Sequence, residues 1–304
     1  MWSYTAVLLG TAVGYDATGV LSPISFTVAL ALGGLIQGWS THAINEIYDW
    51  RSGTDRIDGS RAFSRGSRVR NMALLEERDL WGIFAFASIA VGALTLWVIL
   101  ARAPWLALLV VAGYGLGGFP GVLLSGLGAF AIQTLSLSWV AATALAAHAL
   151  VCTSMLMVHH YLDVPMDAAA TPPKRTTVVG LGLERSKRYA AGMSATAATL
   201  YALLGILAHP GFLLGAILTF PAVAIHLRME PTDLKSATRD ELRIIQLGIA
   251  AGLLTAVALA PPLWPMVPLA ALGYVVHLVV VAPPAELARA WRRTPAGDSD
   301  ARNA

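Results

Sequence analysis

Residues 23–58 read PISFTVALALGGLIQGWSTHAINEIYDWRSGTDRID. The first two thirds of this stretch carry no charge, and roughly 20 apolar residues are what a helix needs to cross the ~30 Å hydrocarbon core of a bilayer. The last third then sets Glu46, Asp49, Asp55 and Asp58 directly behind the apolar run. A membrane span that ends in a cluster of acids is the pattern from which fold and chemistry both follow.

Outward from this stretch the chain repeats the apolar theme. Of its 304 residues 56% are hydrophobic and 13% charged, and the mean hydropathy is +0.64. Those proportions exclude an ordinary soluble domain, because a buried soluble core does not make long apolar runs along a whole chain. Spans are predicted at about 2–20, 23–48, 79–101, 104–119, 120–136, 138–162, 187–208, 211–227, 243–260 and 263–282. The fold class is therefore all-α, a polytopic transmembrane bundle of nine or ten helices. Nine is allowed because Gly117, Gly118, Pro120 and Gly121 interrupt the fourth and fifth segments, which then form one broken helix and a re-entrant piece. Residues 1–283 read as one transmembrane domain and 284–304 as a partly disordered cytoplasmic tail. The opening MWSYTAVLLG has no basic region ahead of its apolar residues, so it is expected to stay as the first span.

The net charge of +3 does not point to nucleic acid, since the basic residues are dispersed among acidic ones in short loops. It points to orientation. All but Arg102 of the 21 Lys and Arg fall in loops on one side of the predicted spans. By the positive-inside rule that side is cytoplasmic, with both termini on it. The expected location is a bacterial cell membrane. The single cysteine, Cys152, forms no internal disulfide and reads as a small packing residue. Gly10 with Gly14 and Gly248 with Gly252 are spaced for close helix approach.

Two acidic stretches lie on the basic side. In the first, Asn45 and Asp49 are four residues apart and share a helix face, with Asp55 beyond the breaker Arg51-Ser52-Gly53. The second, VHHYLDVPMDAAATPPKRTTVVGLG at residues 158–182, repeats the spacing in Asp163 and Asp167 and adds Lys174 and Arg175. Paired oxygen ligands suit Mg²⁺, which keeps several waters and binds through one or two carboxylates plus phosphate oxygens. Two such stretches facing each other are expected to hold a diphosphate, with Lys174 and Arg175 neutralising what the metal leaves. His159 and His160 are neighbours and so point to different helix faces; one is expected in a polar wall and one at the interface. His42 reads as a packing residue and Asp58 as a loop charge.

NEIYDWRSGTD, residues 45–55, resembles the first aspartate-rich motif of the UbiA superfamily of intramembrane prenyltransferases, in the spacing of its menaquinone-type members. DVPMD, followed by KRT and LGLERSKRY, resembles the second. The resemblance implies a helical bundle around a central cavity open to lipid, with both motifs capping it on the cytoplasmic side. It implies metal binding by Asn45, Asp49, Asp55, Asp163 and Asp167, and catalysis by Asp49, Asp163, Lys174 and Arg175. Substrate binding falls to Asn45, Tyr48, Arg65, Arg68, Lys174 and Arg175, with Arg65 and Arg68 in a loop folding over the site. The partners implied are an isoprenoid diphosphate, a lipophilic or aromatic acceptor such as 1,4-dihydroxy-2-naphthoate, and membrane lipid, but no nucleic acid. The chain departs from the family at His159-His160-Tyr161-Leu162, where relatives carry two amides and an arginine. It departs again at Pro165, which is expected to disturb the spacing of the paired aspartates, and in a shorter segment near Gly115–Gly121.

Two other readings stand beside a transferase. A terpene cyclase of the same superfamily would ionise the same diphosphate and let the chain's own double bond attack. An ion or metal transporter would place its acids near mid-span, whereas these cluster at span ends.

Overall fold

The computed structural model describes residues 2–53, 70, 74–114, 116–161 and 163–281. Asp55, Asp58, Arg65, Arg68, Leu162 and the tail 284–304 lie outside these. The regular elements are all helices, and no strand occurs among the described residues. Five helices are long and apolar enough to cross a membrane: Pro23–Ser52, Glu77–Ala101, Trp139–Tyr161, Leu183–Leu207 and Ser236–Leu259. Shorter apolar helices cover Gly118–Thr134, Phe212–Arg228 and Pro261–Val276.

In chain order α1 is Trp2–Thr18, α2 Pro23–Gly33, α3 Thr41–Ser52, α4 Glu77–Ala101, α5 Leu106–Gly113, α6 Gly118–Thr134 and α7 Trp139–Tyr161. Then follow α8 Val164–Ala169, α9 Thr177–Leu181, α10 Leu183–Leu207, α11 Phe212–Arg228, α12 Leu234–Leu259 and α13 Met266–Val281. A π-helical segment, Gly34–Ser40, joins α2 to α3 so that the three run on as one rod. α1 and α7 form the interior. α1 packs on α6, α7, α12 and α2, and α7 packs on α10, α6 and α12. Every residue from Thr5 to Gly14 is buried. By contrast α4 buries only 17% of its apolar window and offers Phe86, Ile89, Leu96 and Leu100 to the surroundings, as a peripheral helix in lipid would.

Small residues and polar pairs hold the interior helices close, which matters where lipid outside is as apolar as the side chains within. A Cβ on Gly10 would lie 2.1 Å from the Gly126 carbonyl oxygen, so α1 and α6 touch backbone to backbone. A Cβ on Gly248 or Gly252 would meet side chains, Met155 at 2.8 Å and His148 at 2.5 Å respectively. Thr5 Oγ1 lies 2.8 Å from His148 Nε2 between α1 and α7, and Ser194 Oγ donates to Ser154 Oγ at 3.1 Å between α10 and α7. Cys152 is buried in this packing.

The predicted fourth span is not there. Within residues 104–119 α5 covers only Leu106–Gly113 before α6 starts at Gly118, about 12 Å of helix at 1.5 Å per residue, against a ~30 Å core. Instead α5 and α6 form a hairpin that enters and leaves at one end of the bundle. Arg102, just past the end of α4, donates from Nε and Nη2 to Ile132 O at 2.9 and 2.7 Å and from Nη2 to Gln133 O at 3.0 Å. The chain's isolated arginine thus caps the α6 carboxyl terminus. Gln133 also ties to the start of α2, its Nε2 donating to Ser22 O at 3.2 Å. At the tip of the hairpin the Gln37 amide donates to Leu116 O at 3.0 Å. Tyr114 OH meets Ser40 Oγ at 2.8 Å and also Ser88 Oγ. Broken backbone at membrane depth needs such partners, because no water is there to supply them.

Candidate functional site

At the other end of the bundle the two acidic stretches meet. α3 ends where Gly53 takes φ +84°, a left-handed conformation that glycine adopts without strain. One turn earlier Asn45 Nδ2 donates to Asp49 Oδ2 at 2.8 Å, so the four-residue spacing does put both on one face. From the second stretch Lys174 Nζ reaches Asp49 at 2.8 and 2.9 Å from the two carboxylate oxygens. Their main chains also join: Thr171 N–H donates to Ser52 O at 3.2 Å. Residues more than a hundred positions apart therefore form one wall.

The second stretch is shaped by its own backbone. Asp163 precedes α8, and Pro165 stands in the first turn of that helix, where the missing N–H would have had no helical partner anyway. The predicted disturbance by Pro165 is thus absent: Asp167 N–H donates to Asp163 O at 2.8 Å, an ordinary helical spacing. Lys174 N–H then donates to Asp167 O at 2.8 Å and closes the loop. Thr176 caps α9, its side chain accepting from Val179 N–H at 3.2 Å. Asp167 is 1% exposed. Asp163 Oδ1 and Asp167 Oδ2 are buried and have no hydrogen-bond donor among the described residues. Burial pushes the Asp163 carboxyl up to about 6; neighbouring Asp167 adds to this, while His159, His160 and Lys174 oppose it.

Both histidines reach carboxylates, on opposite sides. His159 Nδ1 lies 3.0 Å from Glu241 Oε1 on α12, and His160 Nδ1 lies 3.6 Å from Asp167 Oδ2. Their rings stand at 73° with centroids 6.1 Å apart. Glu241 was not legible as a site residue. Reading the ninth span from about residue 243 leaves it in a loop, but α12 begins at Leu234, so Asp240 and Glu241 sit inside the helix. The available signal was a pair of acids flanked by Arg239 and Arg243, which hold Asp240 at 3.2 Å each.

Elsewhere in the predicted set, Arg175 is exposed and Tyr48 is 57% exposed. Glu46 is buried. Arg51 pairs with Glu77 across α3 and α4, and the Arg70 guanidinium lies 4.8 Å above the Trp50 ring. No group of three or more His, Cys, Asp or Glu stands ready to enclose a metal ion among the described residues. The orphaned oxygens of Asp163 and Asp167 do fit a cation that binds through two carboxylates and completes its shell with water and phosphate oxygen. The chain matches no protein-family profile and no curated protein.

Proposed function

We propose that this chain is an intramembrane prenyltransferase of the kind its two acidic stretches resemble, a UbiA-type enzyme. It moves a prenyl group from an isoprenoid diphosphate to an aromatic, quinone-precursor-like acceptor. One observation carries the reading: buried, donor-free carboxylate oxygens on Asp163 and Asp167 stand beside the Asp49–Lys174 pair at the basic end of an apolar bundle. A soluble anion site would not need grease beneath it, and a structural ion pair would not leave two buried oxygens without donors.

Asp163 and Asp167 would hold Mg²⁺, with Asn45, Asp49 and Asp55 of the first stretch completing the set that the sequence suggests. When bound, Mg²⁺ supplies charge to a diphosphate as it leaves. Lys174 keeps Asp49 neutralised while the site is empty and sits where a phosphate oxygen can share its ammonium. Arg175, exposed and without a hydrogen bond among the described residues, would meet the same anion, the role that the resemblance also gives to Arg65 and Arg68. Tyr48, exposed on α3, is the further substrate contact that the resemblance implies. The C–O bond to diphosphate breaks with its electron pair on the leaving group, and the ring carbon of the acceptor attacks the allylic carbon. The apolar interior takes the prenyl tail and keeps water from the cation.

In the membrane this reading gives nine inserted units, eight crossings and the α5–α6 hairpin. The hairpin starts and ends on one side, so alternation is preserved and the ends of α1 and α13 share the cytoplasmic side with the site. The test is incubation of purified protein with several prenyl diphosphates and Mg²⁺, with and without aromatic acceptors, and products read by mass spectrometry. A chelator-sensitive prenylated aromatic is expected. A hydrocarbon formed without acceptor would mark a cyclase instead, and inertness toward every prenyl diphosphate would end the proposal.

A further inference from the structure

We propose that His159, oriented by Glu241, is the base that takes the acceptor's hydroxyl proton in the coupling half of the reaction. The inference rests on the prenyl-transfer reading and assigns a part of it that the acidic stretches leave open.

The geometry is that of an oriented imidazole. Glu241 is 5% exposed and meets His159 Nδ1 at 3.0 Å across 82 residues of sequence, from α12 to α7. An imidazole nitrogen that faces a carboxylate oxygen at this distance donates to it when the carboxylate is ionised, the arrangement that leaves the lone pair on Nε2. Nε2 has no hydrogen bond among the described residues and is not sealed by protein, the side chain being 34% exposed. The second carboxylate oxygen of Glu241 is buried and unpartnered. Through its Oε1 Glu241 fixes the ring and its tautomer, because the hydrogen bond at one imidazole nitrogen sets the role of the other. The other charged groups close to His159 are Asp163 and Lys174. His160, the neighbouring ring, is turned toward Asp167 and the metal side. The dyad therefore stands beside the metal-side residues Asp163 and Lys174, and Nε2 is the nitrogen left to meet an acceptor.

A neutral imidazole nitrogen takes a proton readily from an acidic hydroxyl and poorly from an arene C–H, so the base is matched to the hydroxyl of the acceptor. The hydroxyl proton passes to His159 Nε2. The oxygen electrons push the ortho ring carbon into a bond with the allylic carbon, as the C–O bond to diphosphate breaks with its pair on the diphosphate. The dienone so formed becomes aromatic again when the ring C–H proton leaves to solvent and Nε2 returns its proton to oxygen. Atoms balance, and no oxidant or reductant is needed. His159 touches the acceptor; Glu241 is a positioning residue.

The test separates ionisation from coupling in the full-length protein in detergent with Mg²⁺. Diphosphate release is measured with and without a hydroxylated aromatic, and prenylated product with it. His159→Ala is expected to keep diphosphate release and to lose coupled product by about 100-fold or more, with product restored by added imidazole. Glu241→Gln is expected to lower the kcat of coupling and move the acid limb of its pH profile, while Glu241→Asp recovers both. Coupling at the wild-type rate in His159→Ala overturns the inference. So does parallel loss of release and coupling without imidazole rescue, which marks a structural role, and so does equal coupling of acceptors lacking a hydroxyl. Absence of diphosphate release in the wild type with the aromatic present removes the prenyl-transfer reading and this inference with it.

Discussion

Asp49 and Asp163 carry charge in opposite circumstances. The Asp49 carboxylate is held by Lys174 and Asn45, whereas Asp163 keeps one buried oxygen without a donor. Removing Asp49 costs little fold and much function. Asp49→Ala is expected to abolish Mg²⁺-dependent turnover while the protein still elutes as a folded species in detergent, and near-normal turnover would remove Asp49 from the site. The Asp163 carboxyl rises from an ordinary 3.8 to about 6 on folding. Between those values the folded protein binds the proton more tightly than the unfolded chain, so metal-free stability falls as pH rises through that window and is flat above it. Melting of the metal-free protein from pH 4 to 7 should therefore show a decline that Asp163→Asn lacks. Above pH 6 the ionised carboxylate is open to a cation, so added Mg²⁺ should raise the melting temperature at pH 7 and not at pH 5. A stabilisation independent of pH would place the metal elsewhere.

Among the elements, the hairpin of α5 and α6 and the π segment were the least legible. A hydrophobic run says that residues prefer lipid to water, but not that the chain turns back halfway. Gly117, Gly118, Pro120 and Gly121 marked a break; the return to the same end is set by Arg102 on Ile132 and Gln133 and by Gln37 on Leu116, contacts between distant residues. The helix ends were clearer. Gly53 closes α3 where the sequence places a breaker, while α12 begins well before its apolar run because acids and arginines at i and i+3 sustain a helix as readily as leucines do. The α1–α6 contact offers a direct measurement. With 2.1 Å between an added Cβ on Gly10 and the Gly126 carbonyl, Gly10→Ala must push the helices apart. The expected loss is at the upper end of the ~1–3 kcal/mol typical of overpacking, read as a lower melting temperature in detergent; an unchanged value would deny the backbone contact.

For the whole molecule, orientation rests on a distribution of charge and is open to a simple chemical test. The chain's single cysteine, Cys152, is buried, so the background for thiol labelling is low. Ser136 lies exposed at the end bearing Arg102, and Thr232 lies exposed at the end bearing the acidic stretches. In intact cells a membrane-impermeant maleimide is expected to label Ser136→Cys, and to label Thr232→Cys only after permeabilisation. The reverse pattern would put the site on the outer face and set the positive-inside reading aside.

By itself the sequence determined what each segment prefers: an all-helical chain for lipid, acids and bases gathered at span ends, and the four-residue spacings Asn45–Asp49 and Asp163–Asp167. These follow from local physics, hydropathy and helical pitch, and need no partner. Only the tertiary structure decided who meets whom. Lys174 with Asp49, His159 with Glu241, Thr171 with Ser52 and the backward turn of α5 are contacts over long separations. Periodicity carries no information about such distances, because they are set by how close small residues such as Gly10 and Gly126 allow whole helices to approach.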